Sequence, residues 1–205
     1  MAKTPSGVLG PFSGKVGNVV GASWKGIRYI RQYVIPANPD TDAQKVERGL
    51  FADLAHLAKA LLGPVLQVFW DPFLRSNSGW AEFIGVNRDL YETPDDFSTV
   101  QIARGNLEGA VCASAVYSGS VVAISWSEAV LGNGSLTDKA CCFVYDEVNK
   151  VGFFSAATTR DDEVCPVTVG TGRTAGNMNA WLFFADSSTA PTMVSFSDHC
   201  QVTTP

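Results

Sequence analysis

Charge is scarce in this chain of 205 residues: Asp, Glu, Lys and Arg make up 17% of it, against about 25% in an average soluble domain. Much of its surface is therefore expected to be uncharged or covered. Histidine is nearly missing, and only His56 and His199 could supply an imidazole. Cysteine is absent from the first half. The five present, Cys112, Cys141, Cys142, Cys165 and Cys200, are an odd number, which excludes a complete set of intrachain disulfides, and no Cys-x-x-Cys pair occurs. The adjacent Cys141 and Cys142 would point to opposite faces of a strand, so at most one joins a given core. Buried free thiols made in a reducing compartment are the expectation. The N-terminus has Pro5, Gly7, Gly10 and Pro11 where a signal peptide would be apolar, and no uncharged apolar run approaches the length of a membrane span. Synthesis in a bacterial cytoplasm, with no membrane span, follows as an expectation.

What is present is apolar content, 46% of the chain, enough for sizeable cores. The net charge of -5 is also unevenly spread. Lys3, Lys15, Lys25, Arg28, Arg31, Lys45 and Arg48 outnumber Asp40, Asp42 and Glu47 in residues 1–48, and the remainder is strongly acidic. Such a split suits an anionic partner at the basic end, or contact between copies, basic arm on acidic body.

The stretch 10–35 reads as a glycine-punctuated β-hairpin. Asn18 to Trp24 and Ile27 to Val34 are rich in β-branched, aromatic or small residues, and Lys25-Gly26 between them fits a tight turn. Alternation puts Val20, Ala22 and Trp24 on one face with Val19, Gly21 and Ser23 on the other. In the second strand Ile27, Tyr29, Arg31 and Tyr33 oppose Arg28, Ile30 and Gln32. Both faces carry apolar groups, and an isolated hairpin is marginal in water, so it must dock on something. Before it, residues 1–16 look like an extended arm with Val8, Leu9 and Phe12 as apolar anchors.

After Pro36-Ala-Asn-Pro39, the spacing Thr41-x-x-Gln44 predicts a helix start. Val46, Leu50, Leu54, Leu57 and Leu61 form its stripe, and Gly63-Pro64 is expected to end it and open a second, shorter helix containing Trp70. A third helix is expected from Trp80 to Tyr91. Trp70 and Trp80 read as core anchors. Beyond Glu92 the pattern becomes short β-rich runs between turn signals: 100–103, 107–117, 121–126, 140–146, 151–157, 164–169, 180–185 and 193–196. That content matches an immunoglobulin-like sandwich, with Trp126 as a core tryptophan. The predicted class is α+β: an N-terminal arm and β-hairpin (1–35), a short helical segment (36–97) and an immunoglobulin-like antiparallel β-sandwich (98–205).

Chemistry is harder to find. Ser197-Asp198-His199 has the letters of a triad, but neighbours on an extended chain point apart. Asp161-Asp162-Glu163 lacks the glycine and alternating oxygen ligands of a calcium loop. Gly14-Lys15-Val16-Gly17 lacks the full phosphate-loop pattern and no helix follows it. No catalytic residue, metal or cofactor is assigned. One constellation mixes cations with aromatics: Lys25, Arg28 and Arg31 among Trp24, Tyr29 and Tyr33, the ingredients of single-stranded nucleic-acid binding.

The run Gly14-Lys-Val-Gly-Asn-Val-Val-Gly-x-Ser-Trp-Lys-Gly26, then Tyr29-Ile-Arg31, Asn38-Pro-x-Thr-x-Ala-Gln44, Arg48 and Phe51, resembles the family called domain of unknown function 6266, short proteins of Bacteroidota and of phage-like origin. The likeness is read further in Arg104-Gly105-x-Leu107, Val122-x-x-Ser-Trp126, Thr137-Asp138-Lys139-Ala140 and Trp181-x-x-Phe184. The family brings no activity or catalytic residues with it. Similar arm, hairpin and helix openings occur in phage structural proteins. The leading expectation is thus a non-enzymatic, self-assembling component of a virion (capsid, decoration, tail or fibre). Val8, Leu9, Phe12, Trp24, Ile27, Tyr29 and Ile30 would contact neighbouring copies. The alternatives are a nucleic-acid-binding accessory protein using Lys25, Arg28 and Arg31, and a surface-binding module of the sandwich loops.

Overall fold

The computed structural model describes residues 2–3, 13–35, 37, 40–127, 132–188 and 190–205. The chain divides into two compact units, Met1–Thr41 and Asp42–Pro205.

The first unit is a four-stranded antiparallel sheet in the order β1 (Ala2–Lys3), β4 (Ile27–Gln32), β3 (Val19–Trp24), β2 (Gly14–Val16). Its centre is the predicted hairpin: Trp24 pairs with Ile27, and Lys25 and Gly26 both take positive φ (46° and 78°), as a two-residue type I′ turn demands. A second tight turn at Gly17-Asn18, with Gly17 at φ 58°, adds β2 to the edge. Residues 14–16 are therefore an edge strand and no longer part of an extended arm, while Val8, Leu9 and Phe12 lie outside the described residues. The unit has almost no interior: among its described residues only Gly21 is buried.

The second unit joins helices and strands through shared cores. Helix α1 (Asp42–Leu61) begins where the Thr41 signal placed it, but Pro64 does not end it. The chain continues as a π-helical segment, Leu62–Leu66, into a final turn, α2 (Gln67–Phe69). Proline has no N–H to give to the carbonyl one turn back, and the wider turn accommodates it, with the Gln67 N–H reaching Leu62 O. The continuous helix Asp42–Phe69 contains an 18-residue stretch apolar enough to cross a bilayer by length and composition alone. Its Leu54, Leu57, Ala58 and Leu61 are nevertheless buried in protein, which identifies a core helix. Helix α3 (Gly79–Arg88) is capped by Ser78, whose Oγ accepts from Ala81 N at 3.3 Å.

The remaining strands are β5 (Cys112–Ser118), β6 (Val121–Trp126), β7 (Lys139–Asp146), β8 (Val151–Thr159), β9 (Val164–Thr168), β10 (Met178–Ala185) and β11 (Asp198–Thr203). They do not sort into the two sheets of the expected immunoglobulin-like sandwich. All seven belong to one sheet, in the order β8-β7-β10-β11-β5-β6-β9, antiparallel throughout except for the parallel pair β11–β5. The sheet curls until it is nearly barrel-shaped, and across its two edge strands Cys165 Sγ donates to Ser155 Oγ at 3.4 Å.

Curling creates an inside and an outside. Cys142, Val144, Ala180, Leu182 and Phe184 pack inward with Val122, Ile124, Trp126 and Val202. Cys141, Phe143, Tyr145, Trp181 and Phe183 face outward and are covered by α1 and α3. The adjacent cysteines thus join different cores, one each, and burial pushes the Cys141 thiol up to about 12. All five cysteines are free. Residues 42–97 and 98–205 share the outer core, so the helices are a layer of the same unit.

The stretch 100–103, read as a strand, is irregular. Its polar backbone is satisfied by side chains: buried Asn87 accepts from Gln101 N at 2.7 Å and donates to Gln101 O at 2.9 Å. Trp70 Nε1 donates to Ile102 O at 2.8 Å and Trp181 Nε1 to Val100 O at 3.0 Å. Trp70 and Trp126 are buried as expected, and Trp80 is partly buried against the same core.

Candidate functional site

The two faces of the N-terminal sheet differ. Cross-strand pairing of Val20 with Arg31, Ala22 with Tyr29 and Trp24 with Ile27 assembles one continuous face, and Lys15 joins it opposite Val20. Lys15 Nζ sits 3.8 Å from the centre of the Tyr33 ring, a cation–π contact. The opposite face holds Val19, Gly21, Ser23, Arg28, Ile30 and Gln32. Of the predicted contact residues, Trp24, Ile27 and Tyr29 are therefore together and Ile30 is on the other side. The predicted cations separate as well: Arg31 shares the aromatic face, Arg28 does not, and Lys25 occupies the turn, its Nζ 5.0 Å from the Trp24 ring. Sequence reading missed Lys15. The signal was the Gly17-Asn18 turn, which folds residue 15 back alongside residue 20.

At the tip of the hairpin, Trp24 is 63% exposed and Ile27 47%. They are the last pair before the turn, so indole, isoleucine and the Lys25 ammonium form one apolar and cationic knob.

A second exposed feature belongs to the other unit. Between the first turns of α1 and the end of α3 lies a groove of about 390 Å³, floored by Leu50, Leu54 and Tyr91 and walled by Val46 and Phe51. The apolar stripe of α1 is buried from Leu54 onward but open before it, with Val46 and Phe51 about half exposed. Phe51 meets Trp80 edge-on, ring centres 6.4 Å apart. The rim carries Glu47, Asp89 and Glu92 with a single cation, Arg88. Arg88 Nη2 lies 3.0 Å from Glu47 Oε2, and its Nη1 3.4 Å from Asp89 Oδ1. Beneath the floor, Tyr91 OH donates to Asp53 at 3.3 Å and accepts from Asp95 N at 2.7 Å. Burial, with Asp53 alongside, pushes its phenol far up, so it stays protonated.

The other sequence candidates take structural partners. Ser197 Oγ accepts from Ile102 N at 2.9 Å, Asp198 Oδ2 accepts from Cys112 N at 2.7 Å, and His199 Nε2 lies 2.8 Å from Asn179 Oδ1, so the three side chains do not converge. Asp162 closes a capping box, accepting from Thr159 N and Oγ1 at 2.7 and 2.9 Å. Gly14-Lys15-Val16 is strand, and its turn leads into another strand.

No curated protein and no solved structure matches the chain. The likeness read at 104–107, 122–126, 137–140 and 181–184 lies beyond the stretch that a known family covers. That stretch is residues 11–71, comprising the hairpin, α1 and the turns that follow, and it matches the family of unknown function DUF6266.

Proposed function

We propose that this chain is a structural, non-enzymatic protein that self-assembles in a virion or similar particle, with its N-terminal sheet making the contacts between copies. The observation that carries the reading is the uncovered knob: Trp24 and Ile27 stand in water at the tip of a sheet in which, among the described residues, only Gly21 is buried. Full burial of an exposed large apolar side chain is worth about 1.5–3 kcal/mol, of which Trp24 and Ile27, 63% and 47% exposed, still stand to gain roughly half, and a sheet with no core of its own gains most from such cover. The low charge of the whole chain, 17%, agrees with a surface that is partly shared. Size-exclusion chromatography with light scattering on the full chain, wild type against a Trp24→Ser/Ile27→Ser variant, tests it. Loss of the larger species in the variant is expected; equal assembly by both would sink the reading.

The second reading, binding of single-stranded nucleic acid, is favoured by one observation: Lys15 and Arg31 share the face of Trp24, Tyr29 and Tyr33. Aromatic stacking with nearby cations is the chemistry that such strands need. A Lys15→Gln/Arg31→Gln variant should lose binding to a labelled single strand and its salt dependence; no binding by wild type at low salt ends this alternative.

A further inference from the structure

We infer that the groove between α1 and α3 of one copy is the receptor for the hairpin tip of a second copy. The inference rests on the assembly reading above and supplies the surface that reading leaves unnamed.

The match is chemical on each count. The tip offers an indole and an isoleucine side by side, both about half exposed or more, with Lys25 beside the indole. The groove offers an apolar floor and walls, Leu50, Val46 and Phe51, under a rim of three carboxylates to one guanidinium. Arg88 is engaged with Glu47 and Asp89, while Glu92 has no ion-pair partner among the described residues. Lys25 would supply the missing cation at that rim as Trp24 enters the groove.

The charge of the two units follows the same sense. Residues 1–41 carry Lys3, Lys15, Lys25, Arg28 and Arg31 against Asp40 alone, so the strongly acidic balance lies in the second unit. Opposite fields steer a basic tip toward an acidic groove and disfavour tip-to-tip or groove-to-groove contact. Because the contact is head-to-tail, a docked pair keeps one free tip and one free groove, and the chain of contacts closes into a ring or runs on as a filament. A large aromatic in an apolar pocket, ringed by charges, is also where binding energy concentrates in protein interfaces.

Cysteine cross-linking on the full chain is the test. None of the native cysteines is fully exposed, which favours reaction at introduced sites. A Ser23→Cys chain, which keeps Trp24, Lys25 and Ile27 and carries its thiol at an exposed position beside the tip, and a Val46→Cys chain are mixed and treated with a short bis-maleimide, which joins two thiols by one thioether each. A cross-linked dimer in the mixture, absent from either chain alone, is the expected result. A chain carrying both changes that cross-links within a monomer would overturn the inference, since the tip then occupies its own groove. A Val46→Glu change, at a position already exposed, should raise the dissociation constant of wild-type assembly at least tenfold, and higher salt should weaken it further. If assembly depends on Trp24 yet is indifferent to Val46→Glu and gives no mixed cross-link, the groove is wrong and the assembly reading stands. A wild-type chain that stays monomeric at every concentration overturns both.

Discussion

The N-terminal sheet and the ribbon β7–β10 are built from similar residues, yet one is almost wholly exposed and the other almost wholly buried. Every residue of β10 is buried, and so is all of β7 after Lys139. The difference lies in what flanks them. The ribbon has helices on its outer side and the curled sheet on its inner side, so apolar groups can occupy both parities of the strand. The N-terminal sheet has apolar groups on both parities and no such layers among its described residues. Double-sided hydrophobic patterning in a strand thus signals a demand for two covers, and among the described residues the ribbon β7–β10 meets it.

The sharpest way to break the comparison is to take the covers away from the ribbon. An isolated 98–205 fragment exposes Phe143, Trp181 and Phe183 and should fail to give a cooperative melt by circular dichroism, whereas 42–205 should melt as one transition. A 98–205 fragment that unfolds cooperatively would show that the helices are dispensable.

Next in size is the contrast between two tryptophans. Trp181 is fully buried, edge-on to Phe97 and hydrogen-bonded to Val100, and Trp181→Ala should cost about 3–5 kcal/mol in urea denaturation. Under the same conditions, at a concentration where the protein is monomeric, Trp24→Ala should stay within about 0.5 kcal/mol of wild type. Equal losses would mean that the sheet already has a cover within its own chain.

The smallest effect concerns pH. Asn179 donates its amide to Glu147, which fixes its oxygen as acceptor for the His199 ring N–H. Burial holds the His199 pKa below its usual 6.5. A depressed folded-state pKa contributes stability that is present above 6.5 and lost as pH falls through the folded value. Wild type should therefore lose more melting temperature between pH 7 and pH 5 than His199→Gln does. Glu147, whose pKa burial raises, changes in the opposite sense and is common to both proteins. Parallel curves for the two would remove His199 from the account.

Much of this fold could be read from local signals. Lys25-Gly26 gave the hairpin because that turn needs φ > 0, and the leucine stripe of α1 gave both the helix and its buried face. Strands β5 to β10 were found from β-branched runs between turns. What local patterns could not give was how strands meet. β11 has the polar sequence Asp-His-Cys-Gln-Val-Thr, with only Val202 buried, and it escaped notice despite lying mid-sheet. Its side chains are spent on contacts such as Asp198 to Cys112 and Gln201 to Met178, which no alternation predicts. Pro64 misled for a related reason: a proline ends an α-helix by rule, but the π-helical turn is a backbone solution invisible to composition. The hairpin tip was anticipated through Trp24; the groove was not. Val46 and Leu50 belong to a stripe that the sequence shows as continuous to Leu61, and only packing reveals where the core stops.

The position of β11 also dictates an order of events during synthesis. It is hydrogen-bonded to β10 on one side and β5 on the other, and it is the last strand of the unit to be made. Until it arrives, the ribbon β8-β7-β10 and the ribbon β5-β6-β9 cannot be joined through it, and each keeps an open edge where β11 will lie. Translation thus leaves two half-sheets dependent on one late strand, and a chain lacking residues 198–203 would keep both edges open, a sticky species in place of a closed sheet.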